Sequence, residues 1–273
     1  NPDFSQVESD VAQISLNQRF ALFYPEKRPF FMEGVDLLDT PVDAVYTRTI
    51  TSPRWGLRAT GKLFGTDYTL LSAEDRGGGT IIIPGPQYSE YAPQDFSSYA
   101  TIFRARRSFD GSFFGFLITD RENDGGSYNR VLGPDFQWNP SDSDRVTGQF
   151  LYSESRTPDQ PDLNEQWDGR KLSGGAFSLK WQHDTRNWSL SAAYRDVGLG
   201  FRADDGYVPQ VGYRMVQATA FRILYPEGFF SRIYPAVQAS QYWDRQNRPL
   251  QGSYMPGVEV QGKANLWAEV YYA

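Results

Sequence analysis

The chain has 273 residues with no cysteine, one histidine, 27 Lys+Arg against 33 Asp+Glu and a net charge of −6. These figures exclude a disulfide framework, a thiolate metal centre, a thiol nucleophile and a histidine-rich metal site, and they argue against nucleic acid as a partner. There is no run of 18 or more apolar residues to form a membrane-spanning helix, yet a polar average (mean hydropathy −0.56) coexists with 17 Tyr, 19 Phe and 7 Trp.

Residues 1–53 are mixed in pattern and acidic, with Asp3, Glu8, Asp10, Glu26, Glu33, Asp36, Asp39 and Asp43 against Arg19, Lys27, Arg28 and Arg48. The start Asn1-Pro2-Asp3-Phe4 is not a signal peptide, as expected of a chain whose signal has been removed or of a fragment. From residue 54 the text becomes short alternating segments between turn residues, the period-2 signature of strands. Eleven strands are expected: Trp55 to Leu63, Tyr68 to Asp75, Ser98 to Phe109, Ser112 to Asp120, Tyr128 to Asn139, Arg145 to Ser155, Gly174 to Asp184, Trp188 to Asp196, Gly212 to Leu224, Phe229 to Trp243 and Gly257 to Tyr272.

The connections alternate in length. Short ones are Phe64 to Asp67, Asp110-Gly111, Pro140 to Asp144, Thr185 to Asn187 and Tyr225 to Gly228, where Gly and Asn/Asp supply positive φ. Long polar ones are Arg76 to Ser97, Arg121 to Ser127, Arg156 to Ser173, Val197 to Val211 and Asp244 to Pro256. Short turns at one end and long loops at the other fit an outer-membrane barrel better than a Greek-key sandwich.

Within the strands the two faces differ in polarity. Val258, Val260, Gly262, Ala264, Leu266, Ala268, Val270 and Tyr272 alternate with Glu259, Gln261, Lys263, Asn265, Trp267, Glu269 and Tyr271; Leu57, Ala59 and Gly61 alternate with Arg58, Thr60 and Lys62; Leu132, Phe136 and Trp138 oppose Asp135, Gln137 and Asn139, whereas Phe113 to Ile118 is apolar on both faces. Aromatics gather beside the short turns (Phe64, Tyr68, Phe109, Phe113, Trp138, Trp188, Tyr225, Phe229, Phe230), where an interfacial girdle would lie. Alternation alone also fits a half-exposed sheet in a soluble protein. The charges on the polar face favour a wet lumen, since each charge in a sandwich core would need a partner. The last segment is longer than the 9 to 11 residues that span a bilayer and is expected to project beyond it.

The polar face assigns Arg58, Lys62, Arg104, Arg106, Lys180, Arg195, Arg214, Arg222, Arg232 and Lys263 to the lumen, against Asp75, Asp135, Glu259 and Glu269. This positive excess favours anions or calls for an acidic partner. The acidic N-terminal segment is such a partner, with Glu26 and Glu33 as plug contacts; the competing expectation is a cap at the periplasmic end.

No catalytic group, metal or cofactor is expected. His183 lacks a second ligand. Asp120-Arg121-Glu122-Asn123-Asp124-Gly125 begins like a calcium loop but carries Val131 at the twelfth position. Gly77-Gly78-Gly79 precedes no helix and is a flexible loop, not a phosphate cradle. Trp167, Tyr88 and Tyr91 fall in long loops, where aromatic faces could stack on sugars.

The motifs Asn1-Pro2-Asp3-Phe4-Ser5-Gln6-Val7-Glu8-Ser9-Asp10 and Phe23-Tyr24-Pro25-Glu26-Lys27-Arg28-Pro29-Phe30-Phe31-Met32-Glu33-Gly34, with Tyr46-Thr47-Arg48, resemble a family of Gram-negative surface proteins. In that family a domain related to family-9 carbohydrate-binding modules precedes an outer-membrane barrel of unassigned function. The resemblance implies that a sugar-binding module preceded Asn1 and that the barrel is partial. An odd strand number points the same way, because bacterial single-chain barrels have an even count.

The resulting expectation is an all-β protein: an antiparallel up-and-down transmembrane barrel (residues 54–273, incomplete) with a plug-like segment (1–53). It would sit in the bacterial outer membrane as a non-enzymatic transport, channel or surface-anchoring module. Its partners would be membrane lipid, carbohydrate or small anionic solutes, and a subunit or further chain completing the barrel. The alternative is a carbohydrate-binding or carbohydrate-processing surface protein anchored by the barrel.

Overall fold

The computed structural model describes residues 23–272; the Asn1–Asp10 motif and Arg19 lie outside the described residues. Strands dominate the described chain and helix is nearly absent from it. Two one-turn helices, α1 (Pro29–Met32) and α2 (Val35–Leu38), precede β1 (Pro53–Leu63), β2 (Thr66–Asp75), β3 (Thr80–Ile83), β4 (Glu90–Pro93), β5 (Ser98–Phe109), β6 (Ser112–Asn123) and β7 (Tyr128–Trp138). These are followed by β8 (Asp144–Arg156), β9 (Lys171–Asp184), β10 (Trp188–Val197), β11 (Tyr213–Arg222), β12 (Phe230–Asp244), β13 (Pro249–Gly262) and β14 (Trp267–Tyr271).

A twelve-stranded sheet takes the order β1-β2-β5-β6-β7-β8-β9-β10-β11-β12-β13-β14, while β3 and β4 pair only with each other. Apart from that excursion, each strand lies beside its neighbour in sequence. Such a meander follows from the turns: Asp110-Gly111 (φ 46° and 75°) closes β5 onto β6, and Phe64-Gly65 (49° and 77°) closes β1 onto β2. Positive φ at both central residues is what a two-residue hairpin matched to strand twist requires. β1 and β14 are the sheet's edges, so among the described residues the sheet is open.

Three expectations need correction. The segment Gly257 to Tyr272 is not one long strand. The chain turns at Lys263 to Leu266, with Ala264 and Asn265 at φ 58° and 57°, and β14 runs back along β13. Because Val258 pairs with Val270 and Glu259 with Glu269, the hairpin keeps the polarity of both faces and hides the reversal from a period-2 pattern. Second, Asp244 to Pro256 is not a long loop: β13 begins at Pro249 and only Arg245 to Arg248 turn. Third, β6 runs on to Asn123, which shortens the next loop to Asp124–Ser127 and brings Arg121 into the strand. Long connections are therefore confined to residues 76–97, 157–170 and 198–212.

The chain divides into two compact units. Unit 1 holds the described residues up to Phe136 with Gln149–Phe177 and Val197–Gly212; unit 2 holds Gln137–Gly148, Ser178–Asp196 and the described residues from Tyr213 onward.

In unit 1 one sheet face is buried and the other exposed. The registers place Thr69, Leu71, Ala73 and Asp75 of β2 beside Arg104, Ile102, Ala100 and Ser98 of β5, and these beside Leu117, Thr119, Arg121 and Asn123 of β6. Most of these side chains are fully buried. Residues 23–52 cover the face, with Phe30, Phe31, Leu37, Leu38 and Ile50 buried and α2 in contact with β2 and β5. Five such side chains at about 2 kcal/mol each contribute on the order of 10 kcal/mol of adhesion before the ordering entropy of the segment is subtracted. The opposite face exposes Leu57, Phe114, Ile118, Leu132, Phe136, Phe150 and Tyr152.

In unit 2 the alternation of polarity recurs, but along β11 to β14 burial follows it only at Tyr213, Met215 and Asp244; Gln217, Trp267 and Glu269 are exposed, as are Val216 and Val270 of the other face. Tyr213, Met215, Gln217 and Thr219 of β11 share a face with Tyr242, Ser240 and Gln238 of β12, and that face continues through Ser253, Met255, Glu259 and Gln261 of β13 to Glu269 and Trp267 of β14. Val216, Ala218, Val237, Ala239, Val258, Val260, Ala268 and Val270 form the other face.

Candidate functional site

The polar face of unit 1 gathers charge in two buried constellations. Arg104 lies fully buried and pairs bidentately with Asp135 (Nη1 to Oδ1 2.6 Å, Nη2 to Oδ2 2.7 Å), while its Nε donates to the Leu37 carbonyl of α2 at 2.9 Å. Gly115 of β6 makes the pair possible, since a Cβ there would collide with both the guanidinium and the carboxylate.

Arg121, 1 % exposed, is the second hub. Its guanidinium reaches Asp75 (3.3 Å), Gln94 (3.2 Å), Asp205 (3.3 Å) and the carbonyls of Thr49 (3.3 Å) and Asp204 (3.4 Å). Asp75 in turn accepts from the backbone N–H groups of Thr51 and Ser52 and from Gln94. One cation thus joins β6, the end of β2, the loop carrying Gln94, the N-terminal segment and the 198–212 loop. That loop is stitched on further: Tyr46 N–H donates to the Asp205 carbonyl and Tyr207 N–H to the Asp43 carbonyl, each at 2.6 Å, and Asn129 bridges Ser155 and the Arg202 carbonyl. Burial pushes the Asp204 and Asp205 carboxyls up, Asp205 to about 6. The Asp205 Oδ2 is buried and finds no hydrogen-bond partner among the described residues.

Among the arginines and lysines assigned to the lumen, Arg58 donates to the Phe30 carbonyl (3.0 Å) and Arg106 lies 3.8 Å from Asp36 while stacking over Phe113. Lys62 pairs with Asp67 at 3.3 Å, and Lys180 is exposed on the side of β9 that carries buried Ala176 and Ser178. Arg195 hydrogen-bonds Tyr213, and Arg232 shares the polar face of unit 2 with Glu259 and Gln261. The structure does not bring all ten together. Arg214 and Arg222 follow the parity of Val216, Ala218 and Ala220, on the apolar face, because the burial of Tyr213 and Met215 fixes which side of β11 turns inward. Lys263 sits in the β13–β14 turn and lines no strand face.

The plug contacts also differ in kind from expectation. Glu26 meets no sheet arginine; it binds Arg28 of its own segment (2.7 Å) and Thr47 (2.7 Å). Burial raises this carboxyl, but hydrogen bonds from Arg28 and Thr47 outweigh burial and hold it down to about 2. Glu33 interacts with Arg58 electrostatically. The direct hydrogen bonds from the buried sheet arginines to the segment go to the backbone carbonyls of Leu37 and Thr49, while its carboxylates Asp36 and Glu33 face Arg106 and Arg58 at longer range.

Arg121, Gln94, Asp204 and Asp205 were missed. Continuing the parity of Leu117 and Thr119 by one step would have found Arg121; nothing in the sequence ties it to residues of two distant loops. Trp167 is 4 % exposed and packs with Ile83 and Ala92, so it offers no stacking face, whereas Tyr88 and Tyr91 are exposed. Trp167 also lines a small cleft with Ile81, Phe96, Gln166, Arg202 and Asp204. His183 binds Asp144 (2.9 Å), and Asp120 and Glu122 both bind Arg130 on the exposed face.

These features define an all-β chain with an antiparallel meander whose inner face in unit 1 is covered by residues 23–52. Residues 1–58 match the model of a domain of unknown function (DUF5916), a stretch that includes the covering segment and ends inside β1. No curated protein and no solved structure matches the chain.

Asp135→Ala leaves Arg104 charged and buried without its carboxylate and should cost about 3–5 kcal/mol. A lowered thermal transition would register this, and Arg104→Met with Asp135→Leu should recover most of the loss. The Asp205 carboxyl gives a pH prediction. Its folded value of about 6 lies above the ordinary 3.8, so the folded state holds the proton more tightly; that stabilisation is complete below about 3.8 and lost as pH rises through about 6. The groups around it are Arg121, Asp75, Asp204 and Asp120, and Glu26 stays ionised throughout this window. Amide exchange at Tyr46 and Tyr207, corrected for intrinsic rate, should be slower at pH 5 than at pH 7.5, and Asp205→Asn should remove the difference.

Proposed function

We propose that this chain forms part of an outer-membrane β-barrel whose lumen is occupied by residues 23–52, serving as a surface anchor through which solutes pass only when that segment is displaced. One observation carries the reading: the sheet buries charged and amide side chains on one face and exposes large apolar ones on the other. Arg104, Arg121, Asn129 and Asp135 are at most 1 % exposed, while Phe114, Leu132 and Phe136 of β6 and β7 are 37–54 % exposed and Leu57 of β1 is 62 % exposed. A soluble monomer rarely exposes a continuous apolar face of this kind; lipid requires it.

Strand dimensions support the reading. β1, β2, β5, β6 and β7 have 11, 10, 12, 12 and 11 residues, near the 9 to 11 needed to span a bilayer with tilt. On the exposed face of unit 1 the apolar band is bounded at the loop end by Trp55, Tyr99 and Tyr128, with the Trp55 indole and the Tyr128 hydroxyl donating to Glu74 and Glu154. At the turn end it is bounded by Phe64 and Phe109. Amphipathic rings anchored to carboxylates at one border match an interfacial belt. When the segment is displaced, Arg58 and Arg106 would give the passage a preference for anions.

Expression of the full-length chain in a Gram-negative host, followed by membrane fractionation, tests this. The protein should be in the outer membrane, resist carbonate extraction and migrate faster on gels before heating than after. Its presence in solution without detergent would contradict the proposal.

A further inference from the structure

The two ends of unit 2 treat their cations differently. At the β12–β13 turn and its neighbours each arginine is answered: Arg245 pairs with Asp196, Arg248 with Asp244 (2.6 Å), and Arg214 bonds Asn247. At the opposite end, the turns β9–β10 (Thr185 to Asn187), β11–β12 (Ile223 to Phe229) and β13–β14 bring together Arg186, Arg222, Arg232 and Lys263. Among the described residues none of these four forms an ion pair. The acids nearby are Asp184, which accepts from Ser189 (2.7 Å), and exposed Glu227.

Three of the four cations rest on or beside exposed aromatic rings. Arg222 lies 4.7 Å from the centre of Trp188, and Arg186 and Arg232 lie 5.4 and 5.9 Å from that of Tyr225. The Tyr225 hydroxyl donates to the Arg186 carbonyl at 2.6 Å, fixing the ring against the neighbouring turn. Phe229 and Phe230 pack edge to face beside them, and the Lys263 N–H bonds the Phe229 carbonyl. Trp188, Tyr225, Phe229 and Phe230 are 42, 44, 55 and 39 % exposed.

We infer that this turn end binds the headgroup of an anionic phospholipid, Arg186 and Arg222 taking the phosphate while Trp188, Phe229 and Phe230 lie along the acyl chains. Guanidinium groups match phosphate oxygens bidentately, ring faces hold them in place, and unpaired cations flanked by apolar rings suit the border between headgroups and hydrocarbon. The inference rests on the membrane reading above and adds a lipid class and an end of the sheet to it.

The test uses the full-length protein in neutral detergent, titrated with phosphatidylglycerol, phosphatidylcholine or inorganic phosphate, with the temperature at which the fast-migrating gel band is lost as readout. Each arginine near an anionic headgroup is worth roughly fivefold in apparent affinity. Wild type should therefore prefer phosphatidylglycerol over phosphatidylcholine by at least roughly tenfold, and free phosphate should not reproduce the shift. Arg186→Gln/Arg222→Gln should reduce the preference to within about twofold, Arg222→Gln alone should reduce it partly, and Arg245→Gln/Arg248→Gln should leave it intact. Equal response to both lipids, full replacement by phosphate, or a preference that survives the double substitution Arg186→Gln/Arg222→Gln would overturn the inference while the membrane reading stands. A chain that never inserts would overturn both.

Discussion

A guanidinium cannot be left between two layers of protein unless its charge and its N–H groups are answered, and Arg104 and Arg121 place that demand at the centre of unit 1. Asp135 meets it for Arg104, and Asp75 with Asp205 for Arg121. The carbonyls of Leu37 and Thr49 supply further acceptors. The covering segment is thereby held by polar contacts that specify its position, while Phe31, Leu37 and Ile50 supply much of the adhesion. The inner face thus mixes these answered polar groups with Leu71, Ile102 and Leu117, while the side chains of opposite parity, Phe114, Leu132 and Phe136 among them, point to the outer face, because successive side chains of a strand point to opposite sides.

Much of the fold was legible because the period-2 pattern and the turn residues agree. Asp110-Gly111 marked a hairpin, and the alternation of Arg58, Thr60 and Lys62 with Leu57 and Ala59 marked two unlike faces. Where the reading slipped, the physical cause is identifiable. Ala264-Asn265 adopts positive φ without a glycine, and the even-numbered pairing of β13 with β14 preserved the alternation through the turn. Arg214 and Arg222 were placed by their charge, whereas strand parity puts them on the apolar side. For Arg222, the ring of Trp188 accommodates the cation there.

The site was only half legible. Arg104 and Asp135 could be placed on one face from their strands alone, but their pairing depends on Gly115 leaving room between them. The Arg121 cage draws on residues from β2, β6, the Gln94 loop and the 198–212 loop, which no local pattern connects. The expectation that carboxylates of the leader would seek the basic face failed for Glu26 because Arg28, two residues away, offers a closer partner with less entropy to lose. The segment's carbonyls, present whatever its sequence, took that role instead.

The central claim is that the exposed face of the sheet meets lipid. The chain has no cysteine, so single cysteines at Leu132 and Phe136, spin-labelled in the membrane-reconstituted full-length protein, report their surroundings directly. Collisions with oxygen should exceed those with a water-soluble nickel chelate at both positions, as for a label in hydrocarbon. Greater accessibility to the chelate at both would contradict the account.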